Sequence, residues 1–287
     1  TASLGATLEV PLQSGLYDDL TLENVIDANA VTGEFDQCVL SGDYADSLFF
    51  SLDCVADNGA NIDLEITRAA FDEIEGLDGN ALAAAEGLEC IFDPDLTGGV
   101  ADLIEDLFLI TDEADYNAAL HMLAGASYAQ YLQSFQSLGI RYNDILDRAT
   151  SCDTPTLGGS ALECRTAPFN IWGQFDHQSR KADRDVEAGG VKSNRTTGVV
   201  GIDAIVADNA IVGVSLGTVS NHLDDRRFGD DIDADGFQVG AYGAYDPGAF
   251  YVKGMATYSW FDGDSRRHID LDPFGGTFVD TVEGDPD

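Results

Sequence analysis

The stretch closest to a metal-binding pattern is Asp231-Ile232-Asp233-Ala234-Asp235-Gly236. Carboxylates at alternate positions of a loop converge on a hard cation such as Ca2+, and the glycine allows the sharp turn. Such a loop also needs a bidentate Glu at its twelfth position, where this sequence has Tyr242. The three aspartates therefore read first as an acidic segment and second as a calcium site. His177, His222 and His268 each fall where a strand-like run gives way to charged residues. Imidazoles on one rim could share a metal ion. These runs are not neighbours, however, and even adjacent strands lie about 4.8 Å apart, so the rings are too widely spaced. His121 lies in a helical stretch and reads as a packed or surface side chain. Ser265 in Gly263-Asp264-Ser265 is followed by Arg266 and falls in an expected loop, and Ser160 in Gly158-Gly159-Ser160 is not set in a nucleophile elbow. Neither has a recognisable histidine base and acid partner, so no catalytic residue and no cofactor is assigned.

The elements that must position these residues lie between Phe169 and Phe261. Side chains there alternate, which is the period of a β-strand. Val200, Ile202, Ala204 and Val206 point one way, and Val199, Gly201, Asp203 and Ile205 the other. The next runs oppose Ala210, Val212, Val214 and Leu216 to Ile211, Gly213, Ser215 and Gly217, then Phe237, Val239, Ala241 and Tyr245 to Gln238, Gly240, Tyr242 and Ala244. The last sets Phe250, Val252, Ala256, Tyr258 and Trp260 against Tyr251, Lys253, Met255, Thr257 and Ser259. One face is apolar and tipped with aromatics; the other is small and partly polar. A soluble sandwich also buries one face, so alternation leaves both architectures open. The connections add information. Tight turns at Ala207-Asp208-Asn209 and Asp246-Pro247-Gly248 alternate with long charged segments, expected as loops, at 177–196, 221–234 and from 262 on. Transmembrane barrels show this asymmetry, with strands of about 9–11 residues and aromatic girdles.

Phe169-Asn170-Ile171-Trp172-Gly173, the hairpin GVVGIDAIVADNAIVGVSLG at 198–217 and DADGFQVGAYGAYDPGAFYVKG at 233–254 resemble the C-terminal region of a bacterial autotransporter, a type V secretion system. Upstream, residues 15–35 and 61–74 resemble the last part of a passenger solenoid. The resemblance covers nearly the whole chain and rests on the order of these segments, not on one strong motif. It implies a mainly β fold. Residues 1–70 would be the end of a β-solenoid passenger and its cap, with a small independent sandwich as the alternative. Residues 71–151 would be a helical linker, 152–168 a cysteine-bracketed link, and 169–287 the first strands of an antiparallel outer-membrane β-barrel. A barrel of about twelve strands would need roughly 250 residues or more, and five strands are legible, so the C-terminal part is expected to be incomplete. A helix ahead of Phe169 would lie in a lumen lined by Asn170, Trp172, Gln174, Asp203, Ser215, Gln238 and Lys253. The implied function is an outer-membrane anchor that exports its own N-terminal passenger to the cell surface. The alternatives are a surface adhesin with the barrel as anchor only, and a passenger enzyme whose catalytic part lies outside this sequence. Implied partners are outer-membrane lipid and lipopolysaccharide, the barrel-assembly machinery and periplasmic chaperones.

Composition fits these expectations. The formal net charge is −38, from 52 acidic and 14 basic residues, so nucleic acid is a poor partner. Nine basic residues fall in the expected loops: Arg180, Lys181, Arg184, Lys192, Arg195, Arg226, Arg227, Arg266 and Arg267. They would sit near anionic outer-leaflet lipid, or simply reflect ordinary surface mixing. No run of eighteen apolar residues occurs, which excludes a transmembrane helix and leaves a barrel open. Spacing alone does not fix how five cysteines pair. An exported chain crosses an oxidising periplasm, and Cys38 with Cys54, and Cys152 with Cys164, would close short loops and leave Cys90 over. Residues 1–70 read as short strands at 8–10, 20–26, 35–40, 48–55 and 62–67. Helical spacing follows at 80–88 and 100–110. The longest stripe, at 116–149, carries Tyr128, Leu132, Phe135, Leu138, Tyr142, Ile145 and Ala149, with Gly139 as an expected break.

Overall fold

The computed structural model describes residues 2–57, 60–151, 167–181, 190–225 and 229–284, with backbone alone for Asp57 and residues 126–131. The chain divides into two units. The first takes the residues up to Gly125 together with Ile269–Asp280; the second takes Ala126–His268 and the residues from Thr281 on.

The first unit begins with strands β1 (Ala2–Ser3), β2 (Thr7–Leu12), β3 (Leu20–Asp27), β4 (Val31–Thr32), β5 (Gln37–Gly42), β6 (Phe50–Asp57) and β7 (Asn61–Arg68). β1 pairs in parallel with β4, and β2 with β5, so that Ala2 meets Val31 and Thr7 meets Gln37. Gly33 and Gly42 turn equivalent corners. Both have left-handed φ, and a Cβ there would come within 2.6 and 2.7 Å of the carbonyl oxygens of Leu4 and Leu12. β3, β7 and β6 form an antiparallel sheet in that order. A disulfide joins Cys38 on β5 to Cys54 on β6. Cys90 is free and exposed. The Cys152 and Cys164 pair lies outside the described residues.

Three helices complete this unit: α1 (Gly79–Ile91), α2 (Gly99–Leu107) and α3 (Glu113–Leu123). α2 buries Ala101, Ile104 and Leu107, successive three-residue steps that lay one stripe on the core. The Asp112 side chain caps α3 by accepting the N–H groups of Ala114 and Asp115 at 2.9 and 3.2 Å. Phe49, Phe50, Phe71 and Tyr44 surround Phe108 with ring centroids 5.0–6.1 Å away. The strands before residue 70 and the helices after it thus share one core. His121 is buried there with Nε2 2.7 Å from Asp78 Oδ1, a packed residue.

The second unit holds α4 (Ala126–Ala149) and the strands β8 (Phe169–Lys181), β9 (Val191–Ala207), β10 (Ala210–Asp225), β11 (Asp231–Tyr245), β12 (Val252–Asp270) and β13 (Val279–Gly284). They form one six-stranded antiparallel sheet in chain order. Two sequence expectations are corrected. The 116–149 stripe is two helices, α3 and α4, separated at 124–125 and not at Gly139. Gly139 sits inside α4 with nothing within 4 Å of its Cβ position, so it costs only helix propensity. The charged segments at 177–181, 191–196, 221–225, 231–234 and 262–270 are paired strand, not loop. Polar side chains marked them as loops, but backbone pairing does not depend on apolar side chains.

Candidate functional site

The sheet has two unlike faces, and its register shows how alternation produces them. Ile171, Val200, Ile202, Val212, Val214, Leu216, Val252 and Tyr258 are exposed on one face, with Val214 at 56 %. Ile211, Ser215, Gln238, Tyr242 and Ala244 are buried on the other. Phe175, Gly198, Thr218, Phe237 and Trp260 form a single row across β8 to β12 on the exposed face. Tyr245, Phe250 and Phe169 mark the opposite border. Phe237 and Tyr245 lie eight residue steps apart on β11, about 27 Å along a strand. An outer-membrane barrel carries an apolar band about 25 Å tall between aromatic girdles, which matches. No Asp, Glu, Lys or Arg projects from the outward positions of β8 to β12 within that band.

Beyond the Phe237 row the outward positions change character. Ser220, His222 and Asp224 on β10 stand beside Asp235, Asp233 and Asp231 on β11, and these beside Asp262, Asp264 and Arg266 on β12. The three candidate calcium ligands therefore line one strand, about 7 Å apart in succession, instead of closing a loop around an ion. Among the described residues no group of three or more His, Cys, Asp or Glu is arranged to hold a metal. The histidines stay apart. His177 Nδ1 is 3.0 Å from Thr196 Oγ1, His222 Nδ1 is 2.7 Å from Asp233 Oδ1, and His268 Nδ1 is 3.5 Å from Thr281 Oγ1. Arg184, Arg226 and Arg227 lie outside the described residues. Arg195, expected in a loop, instead lies on the other face, where it donates to Ser137 Oγ at 3.3 Å.

That other face receives α4. Tyr142, Ile145 and Leu146 are buried against it with Val199 and Tyr242, and Leu138 is buried as well. Leu132, expected in the same packed stripe, is 64 % exposed, and the side chain of Tyr128 is not described. Tyr142 Oη lies 2.7 Å from Ser215 Oγ and 3.4 Å from the Gln238 carbonyl oxygen. Tyr142 and Leu146 fit because two inward positions are glycine. A Cβ at Gly217 would come 3.0 Å from Tyr142 Cε2, and one at Gly240 would come 2.6 Å from Leu146 Cδ1. Charged and polar contacts fix the helix along its length. Arg141 pairs with Asp176, and Asp147 with Lys253. Asn143 Oδ1 accepts from Thr257 Oγ1 at 3.0 Å, and Ser134 Oγ accepts from Asn221 Nδ2 at 2.7 Å. Near the turn end, Trp172 Nε1 donates to Tyr242 Oη at 2.6 Å, and that hydroxyl donates to Asp203 Oδ2 at 2.9 Å.

All seven residues expected on an inner surface lie on the α4 side of the sheet. Ser215 and Gln238 meet Tyr142, Trp172 and Asp203 meet through Tyr242, and Lys253 meets Asp147. Asn170 and Gln174 are half-buried there. Sequence reasoning missed the helix partners Arg141, Asn143 and Asp147. The one signal for them is the row of small residues on the inward strand positions, which implies a body lying close against the sheet.

Residues 171–287 match the family model described as Autotransporter beta-domain. No curated protein and no solved structure matches the chain. This family places the domain in the bacterial outer membrane, as a translocator inserted there with the help of assembly machinery, and its passenger at the cell surface. The two-faced sheet and the family model agree, and together they support an autotransporter translocator domain over residues 171–287.

Proposed function

We propose that this chain exports its own N-terminal part, with α4 as the segment left in the translocation path. The observation that carries this reading is the seat of α4. It packs on the face opposite the lipid-type rows through Tyr142, Arg141, Asn143 and Asp147. The seven residues Asn170, Trp172, Gln174, Asp203, Ser215, Gln238 and Lys253 then line a lumen. β8 and β13 are the outer strands of the sheet, and open edges leave backbone groups unpaired in hydrocarbon. Closure therefore calls for strands beyond the six described, as in a barrel of about twelve. The first unit is the end of the passenger. Parallel pairing of β1 with β4 and of β2 with β5, at offsets of 29 and 30 residues, supports the last turns of a solenoid. Periplasmic chaperones would hold the chain before insertion, and lipopolysaccharide would meet the polar strand ends beyond the Phe237 row.

The test is surface display by the full-length protein in cells. An epitope placed in the exposed strand β3 should be reached by antibody on intact cells. Deleting residues 126–149 should abolish that signal while an assembled barrel, seen as a heat-modifiable band, remains. An epitope that stays hidden beside an assembled wild-type barrel would refute export of this segment.

A further inference from the structure

Residues 2–125 do not complete the first unit by themselves. Ile269–Asp280, which connects β12 to β13, belongs to it. Leu271 is fully buried in its core, and Phe274 and Phe278 pack against that core. The connection is folded on itself: Leu271 N–H donates to the Phe278 carbonyl at 2.9 Å, and Gly276 N–H to the Leu271 carbonyl at 3.1 Å. Asp106 of α2 is only 7 % exposed. Its carboxylate accepts the backbone N–H groups of Thr277 and Phe278, and the Thr277 hydroxyl at 3.4 Å. Gly276 makes room for this, since a Cβ there would lie 2.9 Å from the carboxylate. Asp270 N–H reaches Met122 Sδ at 3.2 Å. A buried carboxylate without donors is costly, and so is a hole the size of a leucine. The first unit contains both features, and a connection between two strands of the β-domain satisfies both.

We propose that residues 269–280 are a non-covalent latch. The Asp106 carboxylate and the Leu271 hole form a receptor for this connection, and through it the first unit stays bound to the β-domain when the chain between Gly125 and Ala126 is cut. The latch holds whichever side of the membrane the first unit occupies, so it is tested separately from export.

The experiment inserts a protease recognition sequence between Gly125 and Ala126 of the full-length protein. Isolated outer membranes, opened to expose both sides, are cleaved and sedimented, and the fragment ending at Gly125 is followed. In the wild type the fragment should sediment with the membranes. Leu271→Ala and Thr277→Pro, which removes an N–H donor, should each raise the released share at least about tenfold. Asp106→Ala lies outside the β-domain and should do the same while the barrel keeps its heat-modifiable mobility. Release of the wild-type fragment on cleavage would overturn the latch, and so would wild-type retention in Asp106→Ala.

Discussion

Tyr142 connects the helix to the sheet through one side chain. Its ring is fully buried and its hydroxyl meets Ser215. Tyr142→Phe removes the hydroxyl with its contacts to Ser215 and the Gln238 carbonyl, keeps the ring, and should cost about 1 kcal/mol. Tyr142→Ala also opens a cavity and should cost about 3–5 kcal/mol. Urea titration of the heat-modifiable band measures both, and equal effects would show that the ring carries no packing. In the first unit Arg68 plays a comparable part. It donates two hydrogen bonds to Glu89, at 3.0 and 2.7 Å, and lies 4.2 Å over the Phe92 ring. Hydrogen bonds from Arg68 hold the Glu89 carboxyl below the usual glutamate range, and partial burial opposes them less strongly. A carboxyl with a lowered folded-state pKa stabilises the fold above its ordinary range, and that contribution is lost as pH falls through the lowered value. Glu89→Gln should therefore destabilise the first unit at pH 7, by about 1–2 kcal/mol. The difference from wild type should shrink below about pH 4. Protease resistance of residues 2–125 against temperature, at several pH values, reads this, and a difference constant with pH would contradict it.

Each strand of the β-domain combines three environments. Its outward positions are apolar within the band and polar beyond the Phe237 row, and its inward positions are small where α4 rests. Val214→Arg puts a charge in the band and should cost about 2–4 kcal/mol, whereas arginine at Asp233, beyond the girdle, should cost less than about 1 kcal/mol. Assembled yield and urea midpoint compare them, and equal losses would place the band wrongly. The faces of β8 to β12 were legible in the sequence because side chains alternate whatever the strand pairs with. Ala204, Val214, Ala241 and Trp260 all lie on the face that alternation predicts. The polar strand ends were not legible. His222 to Asp225 and Asp231 to Ala234 have no lipid-facing apolar row, and only cross-strand register shows them to be strand. The separation of α3 from α4 was hidden for a different reason. Gly139 carries the weaker helix propensity signal, but tertiary packing keeps it helical, and the turn comes at Gly125, whose φ of 66° suits glycine. The role of Asp106 was not legible at all, because its partners lie some 170 residues away along the chain.

At the scale of the whole molecule, a net charge of −38 keeps the first unit and the strand ends in water, and the neutral outward band gives the sheet its place in hydrocarbon. The central claim is that one face of this sheet meets lipid and the other meets α4. The sequence holds only two tryptophans, and the structure places one on each face. Trp260 is 52 % exposed on the outward girdle, with its ring 4.5 Å from Tyr258. Trp172 lies on the inward face with its Nε1 on Tyr242. The most direct test is fluorescence quenching in bilayers whose acyl chains are brominated near the headgroups, with any tryptophan outside this sequence replaced by Phe. With Trp172→Phe, the remaining Trp260 should lose most of its emission. With Trp260→Phe, the remaining Trp172 should be quenched little, while both variants keep a heat-modifiable barrel. Equal quenching of the two indoles, or an unquenched Trp260, would contradict the account.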